Sequence, residues 1–183
     1  MKSIFVLGPR QWRTGAHPSV PGWVADAIPK WWAREGKEIP WPVDIRAILV
    51  DDLRQEGYAT TMMELWPRVG KESHTRRFQR IEREGRVDAY FLFWPVGGHV
   101  EGITWELRDL IGRVLDDKLS AEALHVFPEE GVLAVDGESG LMMLGEEHHR
   151  TSYFEDVLGA GCPVAPWATY EELRLFVREH ASS

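Results

Sequence analysis

The run Val87-Asp88-Ala89-Tyr90-Phe91-Leu92-Phe93-Trp94 is the strongest strand signal in the chain. A continuous apolar run of this length predicts a strand that is covered on both faces, as the strands of a parallel sheet are. Gly97 and Gly98 break the run, and residues 103–115 follow with apolar side chains at helical spacing. A buried strand that leads into an amphipathic helix predicts a β-α unit.

The same alternation extends to both sides of this unit. We predict further strands at residues 3–7, 58–65, 123–127 and 163–167, with a short additional one at 132–135. We predict further helices at residues 43–57, 73–85, 146–158 and, after the capping box at 169–172, to about residue 179. The order of elements predicts an α/β fold: a doubly wound, mainly parallel five-stranded sheet, Rossmann-like or flavodoxin-like, in a three-layer sandwich.

The length of 183 residues indicates a single α/β domain over residues 1–183. Residues 10–42 are unusual because they contain five of the nine tryptophans together with five prolines. Linkers do not carry this much aromatic surface. We therefore predict an ordered, Trp/Pro-rich insert or lid after the first strand.

Composition limits the compartment and the partners. Lys and Arg number 21 against 29 Asp and Glu, a net charge of -8, which argues against general nucleic-acid binding. Cys162 is the only cysteine, so an intrachain disulfide is excluded and a cysteine-rich zinc site is absent. The longest apolar run, 89–96, is too short for a membrane span, and no signal peptide is visible. We expect a soluble cytoplasmic protein with no metal, no cofactor and no membrane partner.

In doubly wound folds, ligands bind at the carboxyl ends of the strands, so the loops at 8–13, 66–70, 94–106 and 128–131 are the places to search. They contain no dinucleotide fingerprint, phosphate loop or nucleophile elbow. After the third strand, however, Gly102 suits a helix cap and Glu106 falls in the first turns. The helix dipole keeps such a carboxylate ionised, as a nucleophile requires. Asp88 opens the same strand and is a candidate second carboxylate.

Each candidate residue also has a purely structural interpretation. A Glu early in a helix is commonly a surface residue that suits the dipole, and an Asp at a strand start is commonly a turn acceptor. Arg10 and Arg13 could be solvated, and Trp94 and Trp105 could belong to the core. Spacing alone therefore indicates a plausible site without fixing its chemistry.

Several stretches resemble the nucleoside 2-deoxyribosyltransferase-like superfamily. Ser3-Ile-Phe-Val-Leu-Gly-Pro9 resembles its first strand and Gly-Pro turn, and Asp88-Ala-Tyr-Phe-Leu-Phe93 resembles its third strand. Gly102-Ile-Thr-Trp-Glu106-Leu107 is similar to its Gly-x-x-x-Glu-Leu-Gly signature, in which the Glu is the nucleophile, although Arg108 replaces the last Gly. Residues 167–172 resemble the end of its nucleotide N-glycosidase branch, and the layout is related to Toll/interleukin-receptor-like NAD-cleaving domains.

The resemblance implies cleavage of an N-glycosidic bond, or (deoxy)ribosyl transfer, on a nucleoside, nucleotide or NAD-like substrate. Glu106 would be the nucleophile, and Asp88 would orient the sugar or protonate the leaving base. The expected substrate-binding residues are Gly8, Pro9, Arg10, Trp12, Trp94, Gly98 and Gly102. Relatives that complete the site from a second subunit imply a possible homodimer. The alternatives are a non-catalytic nucleotide-sensing or assembly module and a domain without a retained site.

Overall fold

The computed structural model describes residues 2–8, 45–94, 101–128, 133–136, 140–143 and 156–182. The elements in chain order are β1 (Ser3–Leu7), α1 (Ile45–Gln55), β2 (Ala59–Thr61), α2 (His74–Gly85), β3 (Ala89–Trp94), α3 (Glu101–Leu115), β4 (Leu124–Pro128), β5 (Leu133–Asp136), β6 (Gly140–Met143) and α4 (Tyr170–Ser182). Residues 156–159 are also helical. Among the helices within these ranges, none is long and apolar enough to cross a bilayer.

The central sheet has four strands in the order β2-β1-β3-β4, and all three pairings are parallel. β1 lies between β2 and β3, with Ile4 opposite both Thr60 and Ala89. The chain therefore adds β2 on one side of β1 and then adds β3 and β4 on the other side. This confirms the predicted α/β class, and it places the reversal of strand order between β1 and β3.

Helices cover both faces of this sheet, which accounts for the uninterrupted apolar run in β3. Ala89, Phe91 and Phe93 point into a buried cluster with α1 and α4. Tyr90 and Leu92 point to the opposite face, into a second cluster with α2 and α3. Because alternate residues of a strand face opposite sides, both sets of side chains must be apolar.

The predicted last strand is only partly formed in the described residues. Residues 163–167 run parallel to β4, and Val126 donates to the Pro163 carbonyl at 2.9 Å and accepts from the Ala165 amide at 3.0 Å. A parallel bridge pairs Val126 with Val164, and the Trp167 amide donates to the Pro128 carbonyl at 3.0 Å. The segment thus extends the sheet beyond β4 without the full ladder of a fifth strand.

Other boundaries differ from the sequence-based expectation. β2 has three residues rather than eight, because Met63–Leu65 forms a turn of 3-10 helix. The short strand predicted near residue 132 is β5, and it pairs antiparallel with β6 in a separate two-stranded sheet. The insert predicted at residues 10–42 lies outside the described residues, as do residues 146–155 of the predicted helix that ends near 158.

The start of α4 matches the sequence in atomic detail. The Glu172 amide donates to Thr169 Oγ1 at 3.2 Å, and the Thr169 amide donates to Glu172 Oε2 at 3.3 Å. These two bonds are the reciprocal pair of a capping box, and they satisfy backbone donors that the first turn leaves free. The predicted capping box is therefore confirmed.

His125 on β4 predicts a loss of stability in acid. Its side chain is buried between Phe91 and Phe127, and its ring nitrogens have no hydrogen-bond partner among the described residues. Burial, with the charges of His180 and Lys2, lowers the pKa of His125 to about 4, while the Glu122 backbone acts in the opposite direction. The unfolded chain therefore binds the extra proton from about pH 6.5 downward, whereas the folded protein resists it until about pH 4.

We expect the free energy of unfolding to fall by up to about 3 kcal/mol between pH 7 and pH 4 from this group alone. The variant His125→Leu should lose that part of the pH dependence and stay within about 1.5 kcal/mol of wild type at pH 7, since it keeps an apolar side chain of similar volume. Urea unfolding at both pH values measures this. An unchanged pH dependence in the variant would rule out His125 as its source.

Candidate active site

Two helices begin beside each other at the carboxyl edge of the sheet. Helices that follow parallel strands run back along them, so the starts of α2 and α3 lie at the edge where strands end. His74 is the first residue of α2, and Ser73 caps that helix by accepting from the Arg76 amide at 3.3 Å. Glu106 lies in the second turn of α3. Both side chains are therefore at the edge where the fold predicts ligand binding.

Glu106 and His74 are joined by a hydrogen bond. Glu106 Oε1 lies 3.0 Å from His74 Nε2. The Glu106 side chain is 8% exposed and that of His74 is 46% exposed. No described residue contacts the second oxygen, Oε2, with a hydrogen bond. The pair consists of a buried carboxylate with one oxygen fixed and an imidazole that reaches solvent.

Trp105 completes the group, which we call the helix-start cluster: His74, Trp105 and Glu106. The Trp105 and His74 rings form a T-shaped pair with centroids 6.0 Å apart, and the Trp105 and Phe78 rings form another at 6.0 Å. Phe78 is fully buried, whereas Trp105 is 38% exposed. A partly exposed indole that packs on a buried ring offers apolar surface to a ligand.

Two arginines of α2 hold the segment that leads into His74. Arg77 donates to the carbonyls of Trp66, at 2.7 Å, and Met63, at 2.6 Å. Arg80 donates to Glu72 Oε1 at 2.8 Å, and this bond holds the pKa of Glu72 below its usual range. Charge-assisted bonds of this kind are among the stronger hydrogen bonds in proteins, so they fix the segment that precedes α2.

Asp88 lies away from this cluster. It precedes β3, and its Oδ2 accepts from the Ser3 amide at 2.8 Å while its own amide donates to the Ser3 carbonyl at 2.8 Å. α3 begins beyond the other end of β3, so the full strand separates Asp88 from the start of that helix. The bond to Ser3 matches the alternative in which Asp88 is a backbone acceptor. The structure does not bring Asp88 and Glu106 together.

The expected substrate-binding residues are only partly described. Gly8 is buried against Phe93, and Trp94 ends β3. Gly102 is the second residue of α3 rather than its cap, because the helix begins at Glu101. The remaining members of the set lie outside the described residues: Pro9, Arg10, Trp12 and Gly98.

The sequence alone did not indicate His74 as a site residue. His99 is the histidine that lies near the expected crevice in the sequence, and the loop expected after β2 ends at residue 70. The available signal was the helix cap: a Ser followed by a charged, amphipathic run places His74 at the first helical position. A residue there must lie at the same edge of the sheet as the start of the next helix.

A cleft in the described part of the chain lies elsewhere. It has a volume of about 460 Å³ and runs along β2, between Ser3, Arg54 and Trp66. Neither Glu106 nor His74 lines it, and its lining contains no carboxylate and no histidine. The described residues also contain no group of three side chains suited to a metal ion. The helix-start cluster therefore remains the candidate with chemical groups in contact.

No protein-family model matches the chain, and neither the curated proteins nor the solved structures contain a match.

Proposed function

We propose that the protein cleaves or transfers at an N-glycosidic bond of a nucleoside, nucleotide or NAD-like substrate, with Glu106 as the nucleophile. The observation that supports this is the Glu106 carboxylate at the carboxyl edge of the sheet, with Oε1 held by His74 and Oε2 without a described partner. A carboxylate fixed in this way can meet a carbon that becomes cationic.

The proposed reaction has two steps. Glu106 Oε2 forms a bond to C1′ of the sugar while the C1′–N bond breaks and its electron pair leaves with the base. Water, or the hydroxyl or ring nitrogen of an acceptor, then attacks C1′, and the bond to Glu106 breaks to restore the carboxylate. The transition states resemble an oxocarbenium ion, which the negative charge stabilises.

The rest of the proposal concerns the surroundings of the carboxylate. We propose that residues 10–42 form a lid whose Trp12, with Trp94, stacks on the base. The backbone near Gly8 and Gly98 and the Arg10 guanidinium would hold hydroxyls or phosphate. Residues 163–167 would complete a five-stranded doubly wound sheet. Trp105 joins these aromatic residues as a described indole that is partly exposed.

One observation favours the non-catalytic alternative. The Glu106 side chain is only 8% exposed, and a carboxylate so enclosed can serve as a structural acceptor for His74. In that case the protein would be a nucleotide-sensing or assembly module that binds without cutting.

Incubation of the wild-type protein with a panel of nucleosides, nucleotides and NAD, followed by chromatography for released base, separates these functions. The proposal expects release from at least one member of the panel at a rate that scales with protein concentration. Calorimetric binding without release would support the sensing module instead. The absence of both binding and release across the whole panel would contradict both functions.

A further inference from the structure

The two members of the Glu106–His74 pair differ in what each can reach. His74 exposes nearly half of its side chain, whereas Glu106 is almost enclosed. An ionised carboxylate only accepts hydrogen bonds, so the contact between Glu106 Oε1 and His74 Nε2 places a proton on Nε2. In the neutral ring, Nδ1 then carries the lone pair. The pair therefore presents a basic ring nitrogen away from the buried oxygen.

The imidazole is also oriented from two sides. Glu106 holds Nε2, and the Trp105 indole makes a T-shaped contact with the ring. The Ser73 cap fixes the backbone of the first turn, from which His74 projects. An imidazole whose far nitrogen is bound to a carboxylate is set up for general acid–base catalysis, because the carboxylate selects the tautomer and stabilises the imidazolium.

We infer that His74 is the proton-transfer residue of this site, a role that rests on the proposed function. In the first step, imidazolium Nδ1 gives a proton to the base nitrogen that takes the C1′–N electron pair. In the second step, Nδ1 takes a proton from the attacking water while the bond between C1′ and Glu106 breaks. The ring thus ends each turnover in the state in which it began, and water is the only co-reactant.

Two substitutions separate this role from a structural one. His74→Gln keeps an N–H that can donate to Glu106 but removes the basic nitrogen. Arg76→Gln changes an exposed side chain in the same helical turn and is the matched control. We expect His74→Gln to lower base release by about 10²- to 10⁴-fold with an unchanged melting temperature. Arg76→Gln should match wild type.

A leaving group that needs no proton gives a readout that a structural role would not produce. With a p-nitrophenyl glycoside of the sugar that wild type accepts, the first turnover of His74→Gln should approach the wild-type rate, and only later turnovers should be slow. An equal loss with both leaving groups, or base release within about threefold of wild type, would overturn the assignment.

A chemical probe keeps the inference testable if wild type releases no base from any substrate. Diethyl pyrocarbonate acylates neutral imidazole, and peptide mass mapping gives the rate at each histidine. We expect His74 to react fast in wild type and several-fold more slowly in Glu106→Gln. A hydrogen bond from Nε2 to a neutral amide makes Nδ1 a weaker nucleophile than a hydrogen bond to a carboxylate does. An inert wild type with this difference would contradict the proposed function only. Equal rates in the two proteins would contradict the reactive imidazole itself.

Discussion

Replacing Glu106 with glutamine is expected to lower base release by roughly 10³-fold or more while the protein stays folded. Removal of a nucleophile takes away stabilisation that exists only in the transition state, and a 10³-fold loss corresponds to about 4 kcal/mol. Glutamine is nearly isosteric with glutamate, and its carbonyl oxygen can still accept from His74 Nε2. The melting temperature should therefore change little.

Matched variants make this result interpretable. Asp109→Asn removes a more exposed carboxylate from the same helix, where Asp109 lies 3.7 Å from Arg113, and should leave activity near wild type. Glu106→Asp keeps the charge but withdraws the carboxylate by one methylene, so it should also be severely impaired. Full activity in Glu106→Gln, or equal losses in Glu106→Gln and Asp109→Asn, would contradict the assignment of Glu106.

Adding one methyl group at Gly8 is expected to destabilise the fold strongly. A Cβ at this position would lie 2.5 Å from Phe93 Cδ1 and 2.8 Å from the Phe93 carbonyl oxygen. Phe93 is almost fully buried in the core, and its carbonyl belongs to β3, so neither atom can move freely. Overpacking of this kind costs roughly 1–3 kcal/mol and occasionally more. The backbone φ of 157° adds to the strain.

We therefore expect Gly8→Ala to unfold about 3 kcal/mol more easily, which is roughly 6–12 °C in Tm for a chain of this length. Gly112→Ala is the control, because nothing lies within 4 Å of its added Cβ and alanine favours the interior of α3. That variant should be neutral or slightly stabilised. Thermal unfolding of both proteins decides the matter, and a Gly8→Ala midpoint equal to wild type would show that β1 and β3 separate easily at this point.

The central sheet could be predicted from the sequence because its signals are local. The apolar run at 89–94 has to be covered on both faces, and this alone indicates a parallel sheet with helices on either side. The capping box at Thr169 is likewise contained within four residues. Both features depend on residues that are close together in the chain, and for that reason the amino-acid sequence is enough to predict them.

The site could be predicted only in part. Glu106 follows from its position after β3, but its bond to His74 joins residues 32 positions apart on different helices. No spacing rule brings those two side chains together, since the contact depends on how α2 and α3 pack on the sheet. For Asp88, the sequence offered both roles, and only its bond to the Ser3 amide shows which backbone group it meets.

The second strand of the small sheet, β6, could not be predicted for a similar reason. β6 consists of Gly140-Leu141-Met142-Met143, a stretch without the β-branched residues that mark a strand. Its pairing with β5 is what makes it a strand, with Val135 opposite Leu141. The last segment, 163–167, shows the reverse case, because a strand-like sequence pairs with β4 through an isolated bridge at Val164 and separate backbone hydrogen bonds rather than as a regular strand.

The most direct test of the central claim is to trap the glycosyl-enzyme. Wild-type protein is mixed with a substrate from which it releases base, quenched in acid within the first turnovers, digested and examined by peptide mass spectrometry. The proposed reaction predicts that the peptide containing Glu106 gains the mass of one anhydro-sugar, and that the same peptide from Glu106→Gln gains none. Base release with the added sugar on a different residue, or with no covalent adduct in repeated quenches, would contradict Glu106 as the nucleophile.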